Sequence, residues 1–197
     1  KNWDPRPPWS EIHAAQKRVK QHVPRLLDVL HELAPAGSLA DLLIERCTPG
    51  SSVEESTLRI AQAATKRVLA GLQSGDTNLC LQGAVALAGL GGGLTPSGDD
   101  WLVGCMLAAW IMLPHSRAES LASLLGRAAA RRTTPLSAAW LRTAARGECG
   151  IRWHRLFHAL SADDPAVVME AARSIIQQGH TSGSDALAGF VATLAAS

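Results

Sequence analysis

The chain has 197 residues, a formal net charge of +2 and a hydrophobic content of 47%. This length suits one domain, and the chain carries neither an apolar run of about 20 residues that could span a membrane nor a recognisable nucleic-acid-binding module. Aromatic residues make up only 4% and Tyr is absent, so Ala and Leu fill the apolar positions and favour helices over sheets.

Proline and glycine divide the first third of the chain into predicted helices. Residues 1–9 are rich in Pro and Trp and are expected to be irregular, after which Ser10 is predicted to cap a helix that Pro24 interrupts. Thr48-Pro49-Gly50 predicts a turn, and Ser52 with Glu55 forms a capping box. The helices expected here cover about 10–23, 25–33, 39–46 and 52–72.

The stretch from Gly89 to Leu113 joins a glycine-rich turn to the longest apolar segment of the chain. A helix that starts at Gly75 and Asp76 leads into it, and Gly91, Gly92 and Gly93 allow positive φ angles and close approach to a ligand. Residues 101–113 carry no charge, which predicts a helix buried on all sides.

The start of this buried helix allows two interpretations. Thr95 or Ser97 is a natural N-cap, and Asp99 and Asp100 lie at the positive end of the helix dipole. These residues could simply cap the helix. Alternatively, the free N–H groups could bind an anion such as phosphate, and the carboxylates could bind Mg²⁺ or a substrate amide.

A second copy of this helix start favours a binding site. The octapeptide that begins at Ser97-Gly98 and the one that begins at Ser182-Gly183 both read S-G-x-D-x-L-x-G, 85 residues apart. Asp100 and Asp185 are the shared acids, whereas Asp99 has no counterpart and is better explained as a cap or dipole partner. Two similar helix N-termini are therefore expected, facing one another across one pocket.

The remaining chain continues the helical pattern. Pro114 stops the buried helix, Ser116 with Glu119 predicts a capping box, and Thr134 is expected to cap a helix that Gly147 ends. Further helices are expected over about 153–160, from Asp164-Pro165 to Gly179, and from the second motif onward. With no strand alternation and no linker, residues 1–197 are predicted to form a single compact all-α domain of nine or ten helices around the helix at 101–113.

Two further groups of residues could bind an anion or act as an acid or base. Between Arg127 and Arg155 there are seven Arg and one acid, and Arg132, Thr134 and Ser137 cluster there at a helix start. His180 directly precedes the second motif and could donate to an anion. A solvated basic surface and an ordinary turn residue are the alternative explanations.

The cysteines indicate a reducing, cytoplasmic compartment. Cys47, Cys80, Cys105 and Cys149 are far apart and form no C-x-x-C pair, which argues against structural zinc and a disulfide framework. No signal peptide is visible.

Three segments carry a resemblance to a known family. The motif GLGGGLTPSGDDWLVG, the segment from Thr133 through Ser137 and Leu141 to Gly147, and the motif GHTSGSDALAGF resemble the third-subunit family of oxamate carbamoyltransferase. They occur in the family's order over roughly residues 80–190, with Trp101 where Phe is expected. Relatives have a substantial upstream region, so this chain resembles the C-terminal, helical part and is expected to be a fragment.

The resemblance implies a carbamoyltransferase subunit in purine and allantoin nitrogen catabolism, with other subunits and a small-molecule substrate as partners. Asp100, Asp185 and His180 are the catalytic candidates. Carbamoyl phosphate or a small carboxylate or amide acceptor would bind the residues that line the two helix starts, namely Gly91, Gly92, Gly93, Thr95, Ser97, Gly98, Asp99, Ser182, Gly183, Arg132, Thr134 and Ser137. Mg²⁺ is a candidate cofactor at Asp100 and Asp185. The alternative is a non-catalytic helical scaffold or metabolite-sensing module.

Overall fold

A computed structural model of the chain describes residues 3–46 and 52–197. Within these ranges it contains eleven α-helices, one 3-10 helix and no strand, which confirms the all-α prediction. The helices are α1 Trp9–Ala14, α2 Gln16–Gln21, α3 Val23–Leu33, a 3-10 helix Leu39–Leu42, α4 Ser52–Ser74, α5 Thr77–Leu87, α6 Ser97–Met112, α7 His115–Ala129, α8 Pro135–Ala145, α9 Ile151–Ala162, α10 Pro165–Ile176 and α11 Ser182–Ala196.

The N-terminal region differs most from the prediction. Ser10 does not cap a helix, because α1 begins at Trp9 directly after Pro8. Pro24 lies in the first turn of α3, where its missing N–H costs nothing, and so it starts a helix instead of interrupting one. The helix predicted over 39–46 is a single 3-10 turn. Residues 1–2, Cys47, the turn at 48–50 and the Ser52 capping side chain lie outside the described part of the chain.

Helices were predicted correctly to start at Asp76 and Asp164, and the predicted cap at Thr134 is confirmed. Asp76 and Asp164 accept from N–H groups in the first turns of α5 and α10, and Thr134 accepts from the Ser137 N–H at 3.1 Å. The predicted caps at Thr95 or Ser97, and at Ser116 with Glu119, are wrong. Helices α6 and α7 start immediately after Pro96 and Pro114, whose side chains offer no acceptor.

Two helices, α6 and α11, form the centre of the fold. Helix α6 is buried along nearly its whole length, as its uncharged sequence predicts. Helix α11 is buried from Gly183 to Leu194 and packs along α6 more extensively than any other pair of helices described. The remaining helices surround this pair, so the two motif-bearing helices share the core.

Glycines allow α6 and α11 to cross in backbone contact. A methyl group at Gly104 would lie 1.8 Å from the Ala186 carbonyl oxygen, and one at Gly189 would lie 2.0 Å from the Trp101 carbonyl oxygen. Because Trp101 and Ala186 occupy the same position in the two motifs, the crossing is reciprocal. The last glycine of each motif therefore sets the distance between the motifs.

Three cysteines, Cys80, Cys105 and Cys149, are buried and free. Burial raises the pKa of each thiol, to about 11 for Cys80 and about 12 for the other two. These thiols are therefore protonated at neutral pH and serve as small apolar side chains. Across residues 3–46 and 52–197, no helix is long and apolar enough to cross a membrane.

Candidate small-molecule site between the paired motifs

The two motif starts meet through serine and aspartate side chains. The Ser182 hydroxyl group at the start of α11 lies beside the Asp100 carboxyl group of α6 and shares a hydrogen bond of 2.8 Å with the Thr95 hydroxyl group. The Ser97 hydroxyl group at the start of α6 lies beside the Asp185 carboxyl group of α11. These residues hold equivalent positions in S-G-x-D, so the same approach is made twice in opposite directions.

Each motif is also anchored in the same way to the loop that precedes it. The Gly98 N–H donates to the Leu90 carbonyl at 2.9 Å, and the Gly183 N–H donates to the Gln178 carbonyl at 3.0 Å. A methyl group at either glycine would lie 2.0–2.1 Å from a carbonyl oxygen of the preceding helix. These close approaches explain the glycine, and they show that the two glycine N–H groups are already used within the fold.

A cleft of about 410 Å³ lies at the crossing of the two helices, on the side of the Asp100 carboxyl. Asp100 and Thr95 from the α6 side meet Ser182 and Gly183 from α11, and helices α8 and α9 supply the opposite wall. The other lining residues include Trp140, Thr143, Glu148, Cys149, Ile151, Arg152, Trp153 and Gln178. Four residues of the predicted site are thus brought together.

Asp100 is a buried acid in the lining of this cleft. Its exposed fraction is 8%, and its Oδ2 atom, like that of Asp185, is buried without a hydrogen-bond partner among the described residues. The pKa of Asp100 is raised to about 7, chiefly by burial and also by the nearby Asp185, while the Ser182 and Thr95 hydroxyl groups oppose the shift. A carboxyl group with a pKa near neutrality can accept or release a proton at physiological pH.

Asp185 occupies the equivalent position but does not line the cleft. It is fully buried, and its Oδ1 accepts the backbone N–H of Leu39 at 2.6 Å. Burial raises its pKa to about 6, against the opposing hydrogen bonds of Leu39, Ser97 and Thr181. The 3-10 helix therefore covers this motif start. Nothing in the sequence around Leu39 predicted that contact.

Asp99, on α6, forms hydrogen bonds to the loop after α5, to the loop before α8 and to α8 itself. It is fully buried, and its Oδ1 accepts the Gly89 N–H at 3.0 Å. Its Oδ2 accepts the hydroxyl groups of Thr133 and Ser137, the latter at 2.9 Å. Both oxygens are thus used to hold α6 against the loop before α8, as a structural partner rather than a lining residue of the cleft.

Several other predicted residues lie away from the cleft. The loop of Gly91, Gly92 and Gly93 is exposed, with positive φ angles of 110° at Gly91 and 85° at Gly93. His180 is exposed as well, and Arg132 is exposed while its carbonyl oxygen packs against Gly89.

The hydroxyl groups predicted to bind an anion beside Arg132 have partners within the fold. Thr134 donates to the Leu94 carbonyl at 2.6 Å and caps α8, and Ser137 donates to Asp99. These contacts fasten α8 to the glycine-rich loop. The structure therefore does not bring this group into the cleft with Asp100.

The residues that sequence analysis missed come from the opposite wall. Arg152 is the cation that lines the cleft in the described chain, and its Nη1 donates to the Ser174 carbonyl. Glu148 also lines the cleft but is paired with Arg146 at 2.7 Å. The excess of arginines over 127–155 was the available signal. It could not single out Arg152, because sequence spacing does not show which arginine turns inward.

The donor set for Mg²⁺ is small. In the part of the chain that the structure describes, no group of three or more His, Cys, Asp or Glu side chains is placed to hold a metal ion. The two motif carboxyls instead bond to hydroxyl and amide groups, so the residues present do not form a protein cage for Mg²⁺, and no chemical step is assigned to it.

The fold and the cleft define a helical protein with a candidate small-molecule site at the crossing of two related helices. The model of the oxamate carbamoyltransferase subunit AllH family matches residues 87–194, which include both S-G-x-D motifs and the segment between them. The chain therefore belongs to the AllH family of oxamate carbamoyltransferase subunits. No solved structure matches the chain.

Proposed function

We propose that this chain contributes the cleft at Asp100 as a substrate site of an oxamate-type carbamoyltransferase, taking carbamoyl phosphate or the small carboxylate or amide acceptor. The observation that carries the proposal is the Asp100 carboxyl, which is buried, lines the cleft, and accepts no backbone N–H from the described chain, whereas the Asp185 carboxyl accepts that of Leu39. Buried polar groups normally have partners, and a carboxyl group without one at a cleft is a reason to expect a ligand.

Asp100 also has the chemistry that carbamoyl transfer requires. The acceptor nitrogen forms a bond to the carbamoyl carbon while the bond from that carbon to the phosphate oxygen breaks, and phosphate leaves with the electron pair. The nitrogen loses one proton in this exchange. A carboxylate whose pKa is raised to about 7 can accept it at neutral pH, and we assign this role to Asp100.

The remaining site predictions take a secondary place in this proposal. Asp185 and Ser97 position the α6 start through their mutual hydrogen bond, and Thr95 and Ser182 orient the Asp100 carboxyl. A catalytic role of the exposed His180 would need a substrate or partner subunit that reaches the cleft mouth. The cytoplasmic location and the place in allantoin nitrogen catabolism stay predictions.

The test is ligand-dependent stabilisation of the full-length protein, alone and with its partner subunits. A ligand at about 100 times its Kd should stabilise the fold by about 2.7 kcal/mol. We expect carbamoyl phosphate or oxamate to raise the melting temperature, and Asp100→Asn to reduce the shift. Asp28→Asn, the same change at an exposed position on α3, should retain it in full. A shift that Asp100→Asn leaves unchanged contradicts the proposal.

A scaffold role is the second candidate, and exposed apolar side chains at the cleft and along α8 favour it. Trp140 and Ile151 line the cleft and are each about half exposed. Leu136 lies one turn before Trp140 on α8, and Leu94 is held beside α8 by Thr134. Such a surface suits a partner subunit. Loss of subunit binding in Trp140→Ser, with ligand binding intact, would support this role.

A further inference from the structure

The hydrogen bond of Asp185, which the 3-10 helix covers, indicates which chemical group Asp100 accepts in the cleft. We call the helix start at Asp185 the covered start and the one at Asp100 the open start. At the covered start, Asp185 receives an amide N–H, that of Leu39, in addition to the hydroxyl group of Ser97. At the open start, Asp100 has the equivalent hydroxyl partner, Ser182, but no backbone N–H among the described residues. Since the two carboxyls are related by the same reciprocal crossing, Asp100 is suited to accept an amide N–H from a molecule in the cleft.

The charges that line the cleft fit a small monoanion better than a phosphate dianion. Two acids, Asp100 and Glu148, and one cation, Arg152, face it within the described chain. Glu148 is paired with Arg146 at 2.7 Å and with Arg6 at 3.7 Å, which leaves one guanidinium and one buried carboxyl as the opposing charges. A second negative charge on a ligand would therefore have no cation to pair with it.

Some N–H groups at the helix starts are also unavailable to an anion. The N–H groups of Gly98 and Asp100 on α6 donate to the carbonyl groups of Leu90 and Pro96, and that of Gly183 on α11 donates to Gln178. An anion site at a helix start depends on N–H groups that are free to point at the ligand. These three N–H groups are already used within the fold, and the preference for a monoanion rests on the charges that line the cleft.

We propose that the cleft binds the carbamoyl acceptor, a small carboxylate that bears a primary amide, with its amide N–H on Asp100 and its carboxylate on Arg152. This inference rests on the proposed function and assigns the other substrate, carbamoyl phosphate, to donors outside the Asp100 pocket. Arg152 lines the same cleft, and its Nη1 donates to the Ser174 carbonyl of α10, which restrains the guanidinium. Asp100 then recognises the nitrogen that must lose its proton.

The test compares two ligands of nearly the same shape by isothermal titration of the full-length protein, alone and with its partner subunits. Oxamate carries the amide, whereas oxalate replaces it with a carboxylate that has no N–H and repels Asp100. We expect oxamate to bind about tenfold more tightly than oxalate, because a hydrogen bond to a charged group is lost. Phosphate should bind more weakly than oxamate.

Variants then assign the preference to particular side chains. Asp100→Asn should abolish the preference for oxamate, since its amide can donate to oxalate, and Asp28→Asn should retain the preference. Arg152→Gln should weaken both ligands about equally, since both present a carboxylate to it. Circular dichroism checks that each variant is folded, and the comparison of oxamate with oxalate needs no variant at all.

The outcomes separate this inference from the function on which it rests. Equal or tighter binding of oxalate, or no binding of oxamate, overturns the acceptor assignment. If carbamoyl phosphate binds instead and Asp100→Asn removes its binding, the cleft is still a substrate site and only the assignment fails. If the binding of no substrate depends on Asp100, both fail.

Discussion

The two S-G-x-D motifs show how one local sequence can serve two purposes in the same molecule. Both start a buried helix, both place a serine on the partner's aspartate, and both use a glycine to touch the partner's backbone. At Asp185 the 3-10 helix supplies an N–H and covers the site, whereas at Asp100 the carboxyl faces a cleft. The motif builds the crossing, and what lies over each carboxyl decides whether that carboxyl lines a cleft.

The largest effect should come from breaking the crossing itself. Gly104→Ala and Gly189→Ala each force a methyl group to about 2 Å from a backbone carbonyl, which no side-chain rotation can relieve. We expect each to lower the free energy of unfolding by about 3 kcal/mol or more, measured by urea denaturation. Gly92→Ala, where a methyl group meets no atom within 4 Å, is the matched control. Unequal losses at the two motif glycines would contradict a reciprocal crossing.

A smaller effect on stability should distinguish the Asp185 carboxyl from the Asp100 carboxyl. Asp185→Ala leaves the buried Leu39 N–H without its acceptor, which should cost about 1–3 kcal/mol of unfolding free energy. Asp100→Ala leaves no backbone N–H of the described chain without its acceptor, so it should lower the unfolding free energy by less. Chemical denaturation of both variants at one pH makes this comparison. A larger loss at Asp100 would mean that its carboxyl is structural.

The smallest effect concerns the pH dependence of stability. The pKa of Asp100 is raised from 3.8 to about 7, so between these values the folded chain holds more protons at this site than the unfolded chain. Stability should therefore fall as the pH rises through this range, and Asp100→Asn should flatten that fall. Urea denaturation from pH 5 to 8 measures it, with Asp28→Asn as the control. Parallel curves for wild type and Asp100→Asn would show that Asp100 ionises as it does in the unfolded chain.

Sequence reasoning was most successful where local chemistry decides the structure. The absence of charge in residues 101–113 predicted the buried helix α6, Thr134 was identified as a cap, and helices were expected to start at Asp76 and Asp164. It failed at Ser10 and Ser116, where a preceding Pro sets the start of the helix with no side-chain bond. Local patterns cannot distinguish these cases, because both place a polar residue before an apolar run.

Sequence reasoning also identified some residues of the candidate site and missed others. The repeated motif led to Asp100, Thr95, Ser182 and Gly183, which the structure brings together at the cleft. Asp99 is the neighbour of Asp100, yet both its oxygens are used inside the fold. The cover over Asp185 and the opposite wall with Arg152 come from segments far away in the chain. Contacts of this kind depend on the packing of whole helices and leave no local signal.

The measurement that tests the central claim most directly is a ¹³C NMR titration of the Asp100 carboxyl in the full-length protein, with and without saturating oxamate. Comparison with Asp100→Asn assigns the signal. Without ligand the carboxyl should titrate with a pKa of about 7. An amide N–H bonded to the carboxylate stabilises the charged form, so oxamate should lower this pKa. An Asp100 pKa that oxamate leaves unchanged or raises would contradict an amide bound at this motif.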